Sequence, residues 1–155
     1  MLTVRPATKQ DADRLLRWRN DPAARRWSPN QAEISPVEHS RWLTEVLASG
    51  RHLILVAEAD DQPAGSVRFA ERDAGLWEVS VVLDPAQRGR GLGQASLTAA
   101  ENLLLARSVG TVTVNAVIHR DNRRSLQLFR GSGYLPVSTD GTDEFLTYTK
   151  VFAQE

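Results

Sequence analysis

The chain has 155 residues, 41% hydrophobic and 25% charged, with nineteen basic against nineteen acidic side chains and a formal net charge of zero. That is the size and make-up of a single globular domain, residues 1–155, able to bury a core without disulfides or metals. The charge balance argues against nucleic acid or an anionic membrane as partner, and the absence of cysteine removes thiol nucleophiles and thiolate metal sites.

Leu2 to Arg5 reads as a short strand. The opening "MLTVRPAT" is too polar for a signal peptide, and no window approaches the ~18 apolar residues of a membrane span. With no cysteine, a cytoplasmic location is expected. Thr8, with Asp11 three residues on, reads as a helix cap for "KQDADRLLRWRN", which stops at Asp21-Pro22. "PAARRW" is a second helical piece, followed by the irregular "SPNQAEIS". Ser35-Pro36-Val37-Glu38 places a Ser cap, a Pro and a Glu where a helix start wants them. His39, Trp42, Leu43, Val46 and Leu47 then share one helix face, and Gly50 reads as the stop.

From there the period changes to that of strands. "HLILVAEA", "AGSVRFAE" and "LWEVSVVL", joined by "DDQP" and "RDAG", read as an antiparallel meander. After the glycine-rich "QRGRGLG" comes a helix from about Leu92 to Arg107, ended by Gly110. "TVTVNAVI" is an alternating strand and "DNRRSLQLF" a short helix. "LPVS" and "EFLTYTKVF" are final strands around the turn "TDGTD". Runs of strands mixed with βαβ crossovers predict an α/β (α+β) domain with a mixed sheet. The three histidines, His39, His52 and His119, show no ligand spacing, so no metal is expected.

Glycines at a strand-to-helix junction, next to free helix N–H groups, make a phosphate site. The Walker pattern is absent, since no Gly-Lys-Ser/Thr follows. The Rossmann pattern also fails. Counting from Gly89 or Gly91, its third glycine would fall on Gln94 or Ser96. Arg88-Gly89-Arg90-Gly91-Leu92-Gly93 instead matches Arg/Gln-x-x-Gly-x-Gly/Ala, and "NRRSLQLFRGSGY" follows one helix and one strand later. Together they resemble the GNAT family of N-acetyltransferases over roughly residues 2–152, with the specific motifs between 78 and 134.

The resemblance implies the GNAT fold: a central mixed, largely antiparallel sheet with a V-shaped splay, flanked by helices. It implies acetyl-CoA as co-substrate and no metal. The pyrophosphate would lie on the amides of Arg88, Gly89, Arg90, Gly91, Leu92 and Gly93. A strand bulge, as in the family, would free backbone near Val82 or Leu83 to bind the pantetheine arm and the thioester oxygen. Asn122 and Ser125 would face the same arm, although Asn122 also reads as a helix cap. Where many members carry a Tyr to protonate the leaving thiolate, this chain has Phe129. Tyr134 reads as core. Glu78 is the candidate base for the amine, with a surface strand Glu as its other reading; His119 is the weaker candidate.

The stretch from 15 to 43 should hold the acceptor, with Trp18, Arg19 and Trp27 as candidate contacts and Trp42 as core. It resembles the branch of Rim-type protein acetyltransferases and amino-sugar acetyltransferases. The implied partner is a small-molecule amine, such as a nucleotide-linked amino sugar, or a peptide N-terminus. A non-catalytic acyl-CoA-binding module is the alternative from another class. A homodimer is compatible with all of these.

Overall fold

The structure is a computed structural model that describes residues 1–138 and 141–155. Its strands are β1 (Leu2–Pro6), β2 (His52–Ala59), β3 (Gln62–Asp73), β4 (Leu76–Leu83), β5 (Val112–His119), β6 (Leu135–Pro136) and β7 (Phe145–Phe152). Its helices are α1 (Ala12–Asn20), α2 (Pro22–Arg26), α3 (Pro36–Ala48), α4 (Leu92–Ala106) and α5 (Arg123–Gly131). The expected turn "TDGTD" lies partly outside the described residues, at 139 and 140.

One seven-stranded sheet runs β1-β2-β3-β4-β5-β7-β6. Every pairing is antiparallel except β4 with β5. Helices cover both faces. On one face Leu55, Val67, Phe69, Val79 and Val114 pack with Leu97, Ala100 and Leu104 of α4 and Leu126 and Phe129 of α5. On the other, Ile54 and Val56 pack with Leu15 and Trp18 of α1 and Leu43 and Val46 of α3. β2 is therefore buried on both sides, which explains its unbroken apolar run "LILVA".

Local chemistry sets the element ends. The Thr8 side chain and Asp11 form a reciprocal capping box around a 3-10 turn, Lys9–Asp11, that leads into α1. Ser35 Oγ accepts from Glu38 N–H, with Pro36 opening α3. The turn after β2 uses two residues, Asp60 and Asp61, both with positive φ (52° and 65°). That is the conformation of a tight hairpin. Gln62 and Pro63 already belong to β3, so the turn is shorter than "DDQP". α3 ends at Ala48, just before Gly50 as expected, though Ser49 turns the chain in an extended conformation and the φ of Gly50 is not positive.

One of the two tryptophans departs from its expected place. Trp18 is 1% exposed, packed in the α1–α3 cluster, and its Nε1–H donates to Asp84 Oδ2 at 2.8 Å. It therefore offers no ring surface to an acceptor. Trp42 is partly exposed at the margin of the same cluster.

Candidate active site

β4 and β5 run parallel and pair at four positions, Leu76 with Thr113 through Val79 with Ala116. Beyond that they separate. β4 continues to Leu83 against β3, and β5 continues to His119 against β7. This is the expected splay, but the register of β3 with β4 is unbroken from Glu78 to Leu83, so no bulge in β4 creates it. A bulge does lie nearby, on β3. Ala64 is the extra residue opposite Ala57 and Glu58, and its carbonyl accepts from Asp84 N–H at 2.8 Å. Amide direction alternates along a strand. Val82 N–H therefore faces β3, as Asp84 N–H does, while Val81 and Leu83 turn theirs to the open side. Of the two backbone positions expected to offer a donor, Leu83 turns its N–H to the open side and Val82 does not.

Gly65 fixes how closely β3 and β4 approach. A Cβ there would lie 2.4 Å from Val82 O and 3.0 Å from Leu83 Cα. No side chain fits, so the strand edge beside the opening needs glycine.

β4 runs into the glycine loop through Asp84. Its carboxylate accepts from Ala86 N–H at 2.8 Å and from Trp18, and it lies 3.6 Å from Arg17. Burial would raise the Asp84 pKa, but these bonds outweigh it and hold the group below its ordinary value. α1 is thereby tied to the end of β4. Gly89 and Gly91 have φ of 81° and 72°, and a Cβ at either would meet nothing within 4 Å. The backbone needs glycine at both positions, and the space in front of them is open. Gly91 is the N-cap of α4 and has no side chain to bond the first-turn amides of Leu92, Gly93 and Gln94. Gly93 differs: its φ is not positive, and a Cβ would make ordinary contact with Leu128 at 3.5 Å. Its role is helix packing as much as ligand approach.

The loop arginines are partly committed. Arg88 donates to Asp21 Oδ2 at 3.0 Å and to Leu83 O at 3.4 Å. It braces the α1–α2 corner, and its hydrogen bond is the main cause holding the Asp21 carboxyl below its usual range. Arg90 bonds Gln87 Oε1 and lies 3.8 Å from Asp60, half exposed. Asn122 caps α5: its Oδ1 accepts from Ser125 N–H at 3.3 Å and its Nδ2 donates to Ser125 Oγ at 3.1 Å. The cap reading of Asn122 holds, and Ser125 is its partner.

Phe129 is 4% exposed and packs edge-to-face on Tyr134 at 5.0 Å. Tyr134 is core, as expected, and donates to buried Glu101 at 2.7 Å. Burial, more than the Glu101 hydrogen bond, pushes the Tyr134 hydroxyl far above its ordinary value, and its proton is committed to Glu101 in the core.

The other side of the opening faces α1, α2 and α3. By strand alternation Glu78 and Ser80 share the Val82 face, as do Asn115, Val117 and His119 of β5. Glu78 lies opposite Asn115 at the closed end of the splay, and its Oε2 accepts from Arg72 at 2.8 Å. Trp27 stands 5.1 Å from His119, with Arg26 over its ring at 4.6 Å. His119 has both nitrogens engaged. Asp121 N–H donates to Nδ1 at 3.1 Å, which leaves the proton on Nε2 to bond Glu144 at 3.2 Å. A lone pair for base duty is therefore taken. Arg19 donates to Asn30 O at 3.0 Å, and Asn20 clips Ile34 through both N–H and carbonyl, so the irregular stretch before α3 is held to α1.

Sequence reading missed Gly65, Asp84 and Arg68. Arg68 sits mid-strand in "SVRFA", on the same face as Ser66 and Ala70. An arginine flanked by buried Val67 and Phe69 was the available signal. Among the described residues no cluster could hold a metal ion, and no helix is long and apolar enough to cross a membrane.

The sequence matches the acetyltransferase (GNAT) domain family over residues 1–134. It is 34% identical over 100 residues to a mycothiol acetyltransferase of Clavibacter sepedonicus, covering 64% of this chain and 31% of that protein. The chain thus spans about a third of that relative's length. Two solved structures share the fold. One is a spermidine N-acetyltransferase from Vibrio cholerae in complex with CoA and spermine (TM-score 0.80, 14% identity, 99% of this chain and 95% of that one). The other is RimL, a ribosomal L7/L12 alpha-N-protein acetyltransferase in complex with coenzyme A (TM-score 0.80, 15% identity, 97% and 93%). A match that runs from β1 through α5 extends far beyond the glycine loop, and the chain belongs to the GNAT acetyltransferase family.

Proposed function

We propose that this chain is an acetyl-CoA-dependent N-acetyltransferase acting on a small primary amine, with a nucleotide-linked amino sugar as the leading acceptor. The observation that carries the reading is the meeting of the opened β4 edge with the uncapped start of α4. One offers backbone amides to an extended arm, and the other offers them to a pyrophosphate. The open space before Gly89 and Gly91 fits that group. Coenzyme A complexes of the two fold relatives support the same co-substrate.

Acetyl-CoA supplies the activated thioester. One of the two outward amides, Val81 or Leu83, would hold its carbonyl oxygen as negative charge develops there, leaving the other to the pantetheine arm. The amine nitrogen bonds to the carbonyl carbon, and the carbon–sulfur bond breaks. Glu78 takes the amine proton, directly or through water. No tyrosine stands at the Phe129 position to protonate sulfur. A thiol of pKa about 8.5 leaves as thiolate without one.

The test is release of free thiol from acetyl-CoA across an acceptor panel of amino-sugar nucleotides, polyamines and peptide N-termini. Turnover with the amino-sugar nucleotide above background hydrolysis is expected. Coenzyme A binding with no turnover on any amine would make the chain an acyl-CoA-binding module instead.

A further inference from the structure

On the face covered by α1 and α3, Arg68 projects from the middle of β3, with its guanidinium carbon 5.4 Å from the centroid of the Trp42 ring. It has no hydrogen-bond acceptor and no carboxylate in ion-pair contact among the described residues. Glu78 is the acid that acts on it, but Glu78 bonds Arg72, and Arg72 and Arg19 add like charge. Arg19 approaches from the end of α1. Its Nη2 is bonded to Asn30 O, while its Nη1 is buried with no partner. Burial first, and Arg25 second, push the Arg19 pKa down; burial also leads the downward push on His39, which lies beside Trp42 at 5.5 Å.

Arg68 thus stands against Trp42 in the field of two like charges, Arg19 and Arg72, and of one carboxylate, Glu78, which is bonded to Arg72. A buried guanidinium nitrogen without a partner, as Arg19 Nη1 is, is costly to leave so. Buried polar groups nearly always find a partner in protein, water or ligand. Planar forks beside an aromatic wall match a planar or tetrahedral oxyanion.

We propose that the face of β3 beside the last turn of α1 and the first turns of α3 binds an oxyanion of the acceptor, a phosphate or a carboxylate, through Arg68 and Arg19 against Trp42. It rests on the acetyltransferase reading for the word acceptor; the anion site itself rests on the side chains. It also sets this chain apart from enzymes for polycations, since the same arginines repel a polyamine.

The test titrates inorganic phosphate, and separately acetate, into the protein saturated with coenzyme A, at constant ionic strength, reading tryptophan fluorescence. Saturation fills the glycine loop, so a response reports another site. A saturable response in the millimolar range is expected, lost as a signal in Trp42→Phe and weakened at least tenfold in Arg68→Met. The arm with the tighter response identifies the anion. If Arg68→Met does not fold, Arg68→Lys keeps the charge but loses the fork, and should weaken the response severalfold. No saturable response to either anion, or one that is the same in the Arg68 variant, overturns the site. Failure of the acetyltransferase reading looks different: coenzyme A would bind but no amine would be acetylated, while the Arg68-dependent response would persist.

Discussion

Asp11 is 1% exposed and accepts from both guanidinium nitrogens of Arg5, at 2.9 and 2.8 Å, from Thr8 N–H at 2.8 Å and from Arg14. The Arg5 bonds lead in holding its carboxyl at about 2, against an ordinary 3.8. A carboxyl depressed on folding stabilises above its unfolded value and loses that contribution as pH falls toward the folded one. Asp11→Asn should therefore cost about 2 kcal/mol at pH 7, by the size of the shift. The gap between variant and wild type should narrow below about pH 4 and close near pH 2. Urea unfolding of both proteins at pH 7 and pH 3 checks it; a gap independent of pH contradicts it. Glu78→Gln should lower turnover by about 10²–10⁴ and leave coenzyme A affinity unchanged, with partial rescue at high pH as the amine arrives deprotonated. A fall of less than about threefold would remove Glu78 from the base role. At this scale the sequence was legible where a residue acts on its own backbone, as with the caps Thr8, Ser35 and Asn122. It was not legible where burial decides. Trp18 and Trp42 differ in which turn of which helix meets the sheet, and that is a tertiary fact.

β4 begins and ends where alternation and the Asp-Pro pair predict, and α4 starts at the loop glycine. Elements read well because apolar period and turn chemistry agree. The opening between β4 and β5 could come only from the family resemblance, because strand pairing depends on residues far apart in the chain. Gly65 illustrates the limit. In the sequence it is a weak position inside a strand, yet its missing Cβ lets β3 close on Val82 and Leu83. Gly65→Ala should destabilise the fold by about 1–3 kcal/mol, as overpacking does. Since the clash is with backbone beside the opening, coenzyme A affinity should fall as well. Calorimetric melting and coenzyme A titration of the same variant check both; a variant as stable as wild type would mean that β3 shifts without penalty.

For the molecule as a whole, zero net charge hides an uneven distribution, with arginines gathered on the α1–α3 face of the sheet and the glycine loop at the end of β4. The two ends of the opening would then serve different ligands: coenzyme A at the α4 end, the acceptor under α1, α2 and α3. On this reading the α4 start and the glycine loop hold the coenzyme pyrophosphate. The direct measurement is calorimetric titration of coenzyme A into wild type and Gly91→Val. A Cβ at Gly91 meets no protein atom, so packing is spared. The side chain instead fills the cradle, and the left-handed φ adds backbone strain of about 1–2 kcal/mol to the fold. Wild type should bind, and a folded Gly91→Val, checked by its melting curve, should bind at least about 30-fold more weakly, some 2 kcal/mol. Equal affinity in the two folded proteins would place the coenzyme elsewhere and contradict the account.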